Sequence, residues 1–369
     1  MAGVPPPSPF PDIHTEIPMS DTPDPVVERN PGDAVARFDH RQRSALDRLQ
    51  HFLHQYPTMV PVIVLVLSLI AFGLISPNFF SAFNLSLVLQ QVAVVGTLAA
   101  AQSLVILTAG IDLSVGAVMV LISVIMGQLA VNFGIPVPIA ILVGLACGAA
   151  TGALNGWLVT RLKLPPFITT LGTWNVFLAL NYYLSGRETI RSQTLDTDAP
   201  LLKFFGTRFE FGGAVLTYGV ILMVVVFAVL YYALYKTAWG RRVYAVGDDP
   251  ESAALAGIQT KRVLMSVYMV AGVICALAAW SSIGRVGSIS PTSFFEANLE
   301  SITAVVIGGI SLFGGRGSIL GPLIGALIVG VFNSGLRLAG VDVLWQLFAT
   351  GWLIIFAVAI DQWIRKVSS

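Results

Sequence analysis

Asn84-Leu-Ser-Leu-Val-Leu-Gln-Gln-Val-Ala-Val-Val-Gly-Thr-Leu-Ala-Ala-Ala-Gln-Ser-Leu-Val-Ile-Leu-Thr-Ala-Gly-Ile-Asp112 meets its first formal charge only at its last residue, and that charge stands alone between Leu49 and Thr160. Across the whole chain 55% of residues are apolar and 11% charged, which no soluble core resembles. A hydrocarbon slab of about 30 Å takes roughly 20 apolar residues per crossing helix, with every backbone group paired inside the helix. The expected fold is therefore all-α: a polytopic helical membrane protein.

Breaks at Gly, Pro and charge divide the apolar sequence into about ten transmembrane helices, near 59–76, 84–109, 114–132, 136–159, 164–184, 214–235, 262–283, 295–313, 317–338 and 343–361. Arg161 and Lys163, then Lys236, Arg241, Arg242, Lys261 and Arg262, then Arg316, then Arg365 and Lys366 fall on one side of a ten-span count. Positive residues stay inside, so that side is expected to be cytoplasmic, with both termini on it. Arg187, Arg191, Lys203 and Arg208 oppose the pattern from a single longer external loop of mixed charge.

Residues 1–56 are a different material. Their prolines, from Pro5 to Pro31, and scattered acids cannot bury enough apolar surface to order a chain, so a disordered cytosolic tail is expected. They lack a basic start followed by an apolar run, so no secretory signal is expected. Within 40–56, Leu46, Leu49, Phe52, Leu53 and Tyr56 recur at helical spacing among Arg41, Arg43, Arg48, His51 and His54. That pattern fits a helix lying on the inner membrane surface or an extension of the first span. Residues 57–369 then form the membrane domain.

A hydrophilic island at 236–262 interrupts it. Asp249 is a good N-cap, Pro250 suits the first helical position, Glu251 favours the positive helix end, and Gly257 supplies a left-handed stop. The implied helix has only about two turns and is marginal alone in water. Ala253, Ala254, Leu255 and Ile258 give it a small apolar face, so it reads as a plug for a socket on another protein.

Several chemistries lack their residues. All four histidines (14, 40, 51 and 54) precede the first span, so none relays protons or binds a metal within the membrane. Cys147 and Cys275 lie in separate spans and read as packing residues. No G-x-x-x-x-G-K-[ST] phosphate loop occurs, so any ATP is hydrolysed by another chain. No catalytic set, cofactor, metal or nucleic-acid partner is expected.

Gly144, Gly148, Gly152 and Gly156 recur every fourth residue on one span, and Gly317, Gly321 and Gly325 do so on another. In lipid such small-residue ridges mark close helix contacts. Two breaks are framed by glycine, Ala109-Gly-Ile-Asp-Leu-Ser-Val-Gly116 and Gly314-Gly-Arg-Gly-Ser-Ile-Leu-Gly321, which hints at a duplicated unit with discontinuous helices. Asp112 between apolar segments is a functional candidate, but the reading in which Asp112 or Ser114 caps the next helix comes first. In the fifth span Thr169, Thr170, Thr173, Trp174, Asn175, Asn181, Tyr182 and Tyr183 combine hydroxyls, amides and aromatic faces. They suit a path for a neutral polyol, or an interfacial aromatic belt with hydroxyls bonded to their own helix. Glu296, Asn298 and Glu300 leave the same choice open.

Four motifs in order carry a resemblance: Ala109 to Gly116, Lys163-Leu-Pro-Pro-Phe-Ile-Thr-Thr-Leu-Gly172, Gly240-Arg-Arg-Val-Tyr-Ala-Val-Gly-Asp-Asp-Pro-Glu-Ser-Ala-Ala-Leu-Ala-Gly-Ile258, and Gly308 to Gly325. Over residues 57–366 the chain resembles permease subunits of ABC importers of the ribose and related monosaccharide type. The resemblance implies two permease copies paired as a homodimer, cytoplasmic ABC ATPase subunits and a periplasmic sugar-binding protein, in a bacterial inner membrane. It assigns ATPase coupling to the loop carrying Asp249, Pro250, Glu251, Ala253, Ala254, Leu255, Gly257 and Ile258. The substrate path is expected at Asp112, Ser114, Thr169, Thr170, Trp174 and Asn175. Leu178-Ala179 stands where many members have Arg-Gly, and Trp174-Asn175 looks more like the fructose-type branch, so fructose or ribose is expected first. Permeases for nucleosides, autoinducer furanoses or amino acids are the alternative within the class. An ion-coupled secondary transporter would need titratable groups in the spans, where Asp112 is nearly alone.

Overall fold

The computed structural model describes residues 59–211, 213–294 and 296–365, so the proline-rich tail and the 40–56 segment lie outside the described residues. The membrane helices begin with α1 (Met59–Ile75), α2 (Ala82–Leu107), α3 (Val115–Gly127), α4 (Val137–Arg161) and α5 (Pro166–Ser185). A short α6 (Ser192–Asp198), a 3-10 turn (Pro200–Gly206) and an antiparallel hairpin of β1 (Arg208–Phe211) and β2 (Ala214–Thr217) follow. Next come α7 (Tyr218–Lys236), α8 (Ala238–Asp248), α9 (Pro250–Leu255), α10 (Thr260–Val286), α11 (Ala297–Ile307), α12 (Leu320–Leu338) and α13 (Val343–Arg365).

A helix lies in each of the ten expected segments, but six of the described helices are long and apolar enough to cross a membrane: α2, α3 with the π turn that continues it to Asn132, α4, α7, α10 and α12. Two of the others, α11 and α5, fall short for local reasons. Gly308 and Gly309 follow α11 after 11 residues, and the threonines and asparagines of α5 dilute its 20. The expected span at 214–235 starts late because 214–217 pairs as β2, which leaves α7 to begin at Tyr218.

Helix α2 forms the centre. Ser81 caps it, its hydroxyl accepting from Asn84 N–H at 3.2 Å, and every side chain from Val92 to Leu107 is buried. Such a helix, apolar all round, has to be enclosed by others. The helices packed against it include α7, α10, α11 and α12.

The first glycine ridge faces α10. A Cβ on Gly148 would collide with the Gly272 carbonyl, one on Gly272 with the Gly148 carbonyl, and one on Gly152 with the Tyr268 carbonyl. These backbones touch because neither helix carries a side chain at the contact. Gly144 meets the side chain of Met126, and Gly156 that of Met265. Leu142, Leu154 and Trp157 point outward from the same helix. Gly321 abuts Gly308, Gly325 abuts the Ala304 carbonyl, and Gly317 lies against Ile310, so the second ridge packs on α11 and the break after it.

Candidate functional site

The loop between α7 and α10 contains two helices. In the shorter, α9, the Asp249 carboxylate accepts from Glu251 N–H at 2.9 Å and Ser252 N–H at 3.1 Å, while its second oxygen accepts from the Ser252 hydroxyl at 2.6 Å. The Ser252 hydroxyl, then the Ser252 and Glu251 N–H groups, hold that carboxyl below the usual range. Gly257 ends the helix at φ 84°, and Ile258 N–H donates back to the Ala253 carbonyl at 3.0 Å. The two faces differ: Ala253 is 5% exposed and Leu255 90%. Ile258 is half-buried beside Ala253, whereas Ala254 joins Leu255 on the outside, so the apolar residues divide between the body of the protein and solvent.

The longer helix, α8, is capped by Thr237, whose hydroxyl accepts from Gly240 N–H at 3.3 Å. Trp239 Nε1 donates to Ser266 Oγ at 2.8 Å and Tyr244 donates its hydroxyl to the Gly317 carbonyl at 2.8 Å. Burial, then Tyr235 as hydrogen-bond partner and neighbour, pushes the Tyr244 hydroxyl pKa up, so it stays a donor.

At the end of α8, Gly247 is wedged between the two glycine-framed breaks. A Cβ there would collide with the Leu107 carbonyl, at the end of the helix that enters the first break, and lie 2.7 Å from Gly315 N of the second. Gly315 N–H donates to the Leu107 carbonyl at 3.0 Å. Gly314 and Gly315 adopt φ of 82° and 68° to make the turn, and Gly314 has no room for a side chain beside Ala109 N and the Gly247 carbonyl. Arg316 Nε stands 4.0 Å from Asp248 Oδ1. Sequence reasoning found both breaks and the loop and missed that they meet; the signal was glycine at the close-contact position of each segment.

The first break is tied internally. One Asp112 oxygen accepts from Ser114 N–H at 2.7 Å and from the Ser114 hydroxyl at 2.6 Å, and Asp112 is 5% exposed. Asn155 Nδ2 donates to Ser114 Oγ at 2.8 Å, reaching across from α4. The Thr170 hydroxyl lies 3.0 Å from the Ile111 carbonyl and accepts from Leu113 N–H at 3.1 Å. Gln102, with its amide nitrogen toward the Asp112 carbonyl, donates there at 3.0 Å and accepts from Asp112 N–H at 3.2 Å. Asp112, Ser114 and Thr170 are thus brought together, one Asp112 oxygen bonded to Ser114 and the Thr170 hydroxyl bonded to the backbone on either side of Asp112.

The other expected path residues separate. The Thr169 hydroxyl bonds the Pro165 carbonyl at 3.0 Å, and Asn175, on the exposed face of α5, bonds the Leu171 carbonyl at 3.1 Å. Trp174 lines a cavity of about 320 Å3 with Gly116, Asn181, Tyr182, Thr292 and Asn298. Asn298 Oδ1 accepts from Gly116 N–H, which joins this cavity to the far end of the first break.

Residues 84–358 match the family model described as branched-chain amino acid transport system / permease component. The chain is 61% identical to the fructose import permease of Rhizobium meliloti over 91% of its own length and 93% of the relative's. It is 38% identical to the ribose import permease of Bacillus subtilis, covering 85% and 95% of the two chains. With the D-allose transport system permease of Escherichia coli it shares 34% identity over 82% and 91%. No solved structure matches it. Its helices, its apolar exterior and these relatives agree that this is a multi-pass membrane protein, and the chain belongs to the family of transport-system permease components, a transport subunit without ATPase activity of its own.

Proposed function

We propose that the chain forms the membrane path of a bacterial ABC importer for a monosaccharide, with fructose the first candidate and ribose the second. A periplasmic binding protein delivers the sugar, a cytoplasmic ATPase supplies the energy, and two copies of the chain pair around the path in the inner membrane. The family description names amino acids, whereas the relatives from 34% to 61% identity are named for monosaccharides, which favours sugar.

One observation carries the coupling: the exposed, capped α9 is continuous through Asp249 and Asp248 with Gly247, the residue seated between both breaks. A push on Ala254 and Leu255 from a docked ATPase reaches Leu107 and Gly315 without crossing a flexible linker. Asp249, Pro250, Glu251, Ala253, Gly257 and Ile258 keep that short helix rigid. Of the expected path residues, Trp174 meets substrate, and Asp112, Ser114 and Thr170 hold the break in shape.

The ten-crossing arrangement counts α1, α2, α3, α4, α5, α7, α10, α11, α12 and α13. At 1.5 Å per residue α11 spans roughly half of the hydrocarbon, and the second break completes its crossing. Arg161, Lys261 and Arg262 line one groove and Arg316 faces Asp248 beside α9, which supports one basic, cytoplasmic end holding both termini. Exposed residues such as Leu67, Leu142, Ile168 and Val229 face lipid.

Proteoliposomes holding the chain, its ATPase and its binding protein test this reading. With ATP they should accumulate labelled fructose or ribose and exclude leucine. Leucine uptake without sugar uptake would overturn it.

A further inference from the structure

The cavity beside Trp174 has the chemistry of a binding site. Trp174, Leu178, Asn181 and Tyr182 line it from one stripe of α5, while Gly116 of α3, Thr292 and Ser293 of the segment leading into α11 and Asn298 in the first turn of α11 close it. Its volume, about 320 Å3, is at the small end of the roughly 300–1,000 Å3 range of ligand pockets, the scale of one sugar ring.

Asn181 is the decisive residue. It is 1% exposed, and its Nδ2 donates to the Pro291 carbonyl at 2.7 Å, which fixes the amide and turns Oδ1 into a buried acceptor with no donor. Buried acceptors are nearly always paired, so one left without a donor calls for a partner, and a ligand hydroxyl is one that could supply the bond. On the other wall, Asn298 commits Oδ1 to Gly116 N–H, so its amide nitrogen is the group left to donate. A fixed acceptor, an available donor and an indole together match a molecule whose hydroxyls both donate and accept and whose C–H face is apolar.

Among the described residues no charged side chain lines the cavity. A zwitterionic amino acid would enter with both charges unpaired, at high desolvation cost. We propose that this cavity is a station for a neutral monosaccharide on its way to the first break, with Asn181 as its acceptor and Trp174 as its apolar platform. The inference rests on the sugar-importer reading and adds where, and by which atoms, the sugar is held. A transit site holds weakly enough to release, so binding in the millimolar range is expected.

The test uses the full chain in proteoliposomes with its ATPase and binding protein, Cys147 and Cys275 replaced by Ala, and Ser293→Cys as a reporter in the cavity wall. Fructose at about 50 mM should slow modification of the reporter by a methanethiosulfonate reagent roughly threefold or more, and leucine at the same concentration should not. Adding Asn181→Leu should abolish the protection, read as the ratio of that variant's own rates with and without fructose. If that variant folds poorly, Trp174→Ala should weaken protection and Trp174→Phe should retain it. Fructose accumulation with no protection of the reporter, or protection that survives both Asn181→Leu and Trp174→Ala, would overturn the station and leave the importer reading intact. Accumulation of leucine in place of sugar would overturn the importer reading itself.

Discussion

Gly315 N–H donates to the Leu107 carbonyl at 3.0 Å, so the second glycine-framed break is tied to the last turn of the helix that enters the first. That carbonyl is among the last four of α2, which no intrahelical donor can reach. Gly247 lies against the same carbonyl. A displacement of α8 therefore acts on both breaks at once.

Any side chain at position 247 should break this junction, because even a Cβ meets the Leu107 carbonyl. Gly247→Ala is expected to cost about 1–3 kcal/mol and to lower ATP-driven uptake at least tenfold. Gly172→Ala is the control, since a Cβ there meets nothing within 4 Å. Thermal unfolding in detergent and uptake by proteoliposomes report the two effects, and wild-type values for Gly247→Ala would count against the junction.

Ala254→Glu separates docking from folding. Ala254 is exposed, so the variant should unfold at the wild-type temperature while ATP hydrolysis no longer drives uptake. Leu255→Cys should cross-link to the ATPase subunit for the same reason. Normal uptake by Ala254→Glu would remove α9 from the coupling path. The Asp249 cap holds through the cell's pH range: its carboxyl is lowered in the folded state, so its contribution is present above the unfolded value, about 3.9, and is lost only as pH falls through the lower folded one.

Gly152→Leu places a branched side chain against the Tyr268 carbonyl, and Gly148→Leu does the same against Gly272. Each should force α4 from α10 and destabilise the protein by about 1–3 kcal/mol or more. An unchanged unfolding temperature in detergent would show that the ridge does not bear on α10.

The sequence revealed what depends on neighbours along the chain. Asp249, Pro250 and Gly257 delimit α9 because caps and stops act within a turn, and the four-residue glycine period gave the packed face of α4. The seat of Gly247 was hidden because its partners, Leu107 and Gly315, lie far away in the sequence, and glycine is abundant here. Asp112 stayed open between a cap and a functional acid; its bonds to Ser114 N–H and hydroxyl are those of a local turn. The bond from Asn181 to the Pro291 carbonyl joins α5 to a segment more than a hundred residues on, which no periodicity reports. The β1–β2 hairpin was missed because Ala214–Thr217 is apolar enough to read as the start of the next span.

Asp112→Asn keeps an oxygen that accepts from Ser114, so uptake should remain within about threefold of wild type. A fall of more than a hundredfold in uptake, at unchanged stability, would return Asp112 to the list of functional acids.

The central claim is that an ATPase below opens and closes a passive path through this chain. The most direct measurement is sugar accumulation by proteoliposomes containing the chain, its ATPase and its binding protein, with ATP or an ion gradient as the alternative energy source. Accumulation should require ATP in the cytoplasmic compartment, and a proton or sodium gradient without ATP should drive none. Gradient-driven accumulation by the 369-residue chain alone, abolished by Asp112→Asn, would contradict the account.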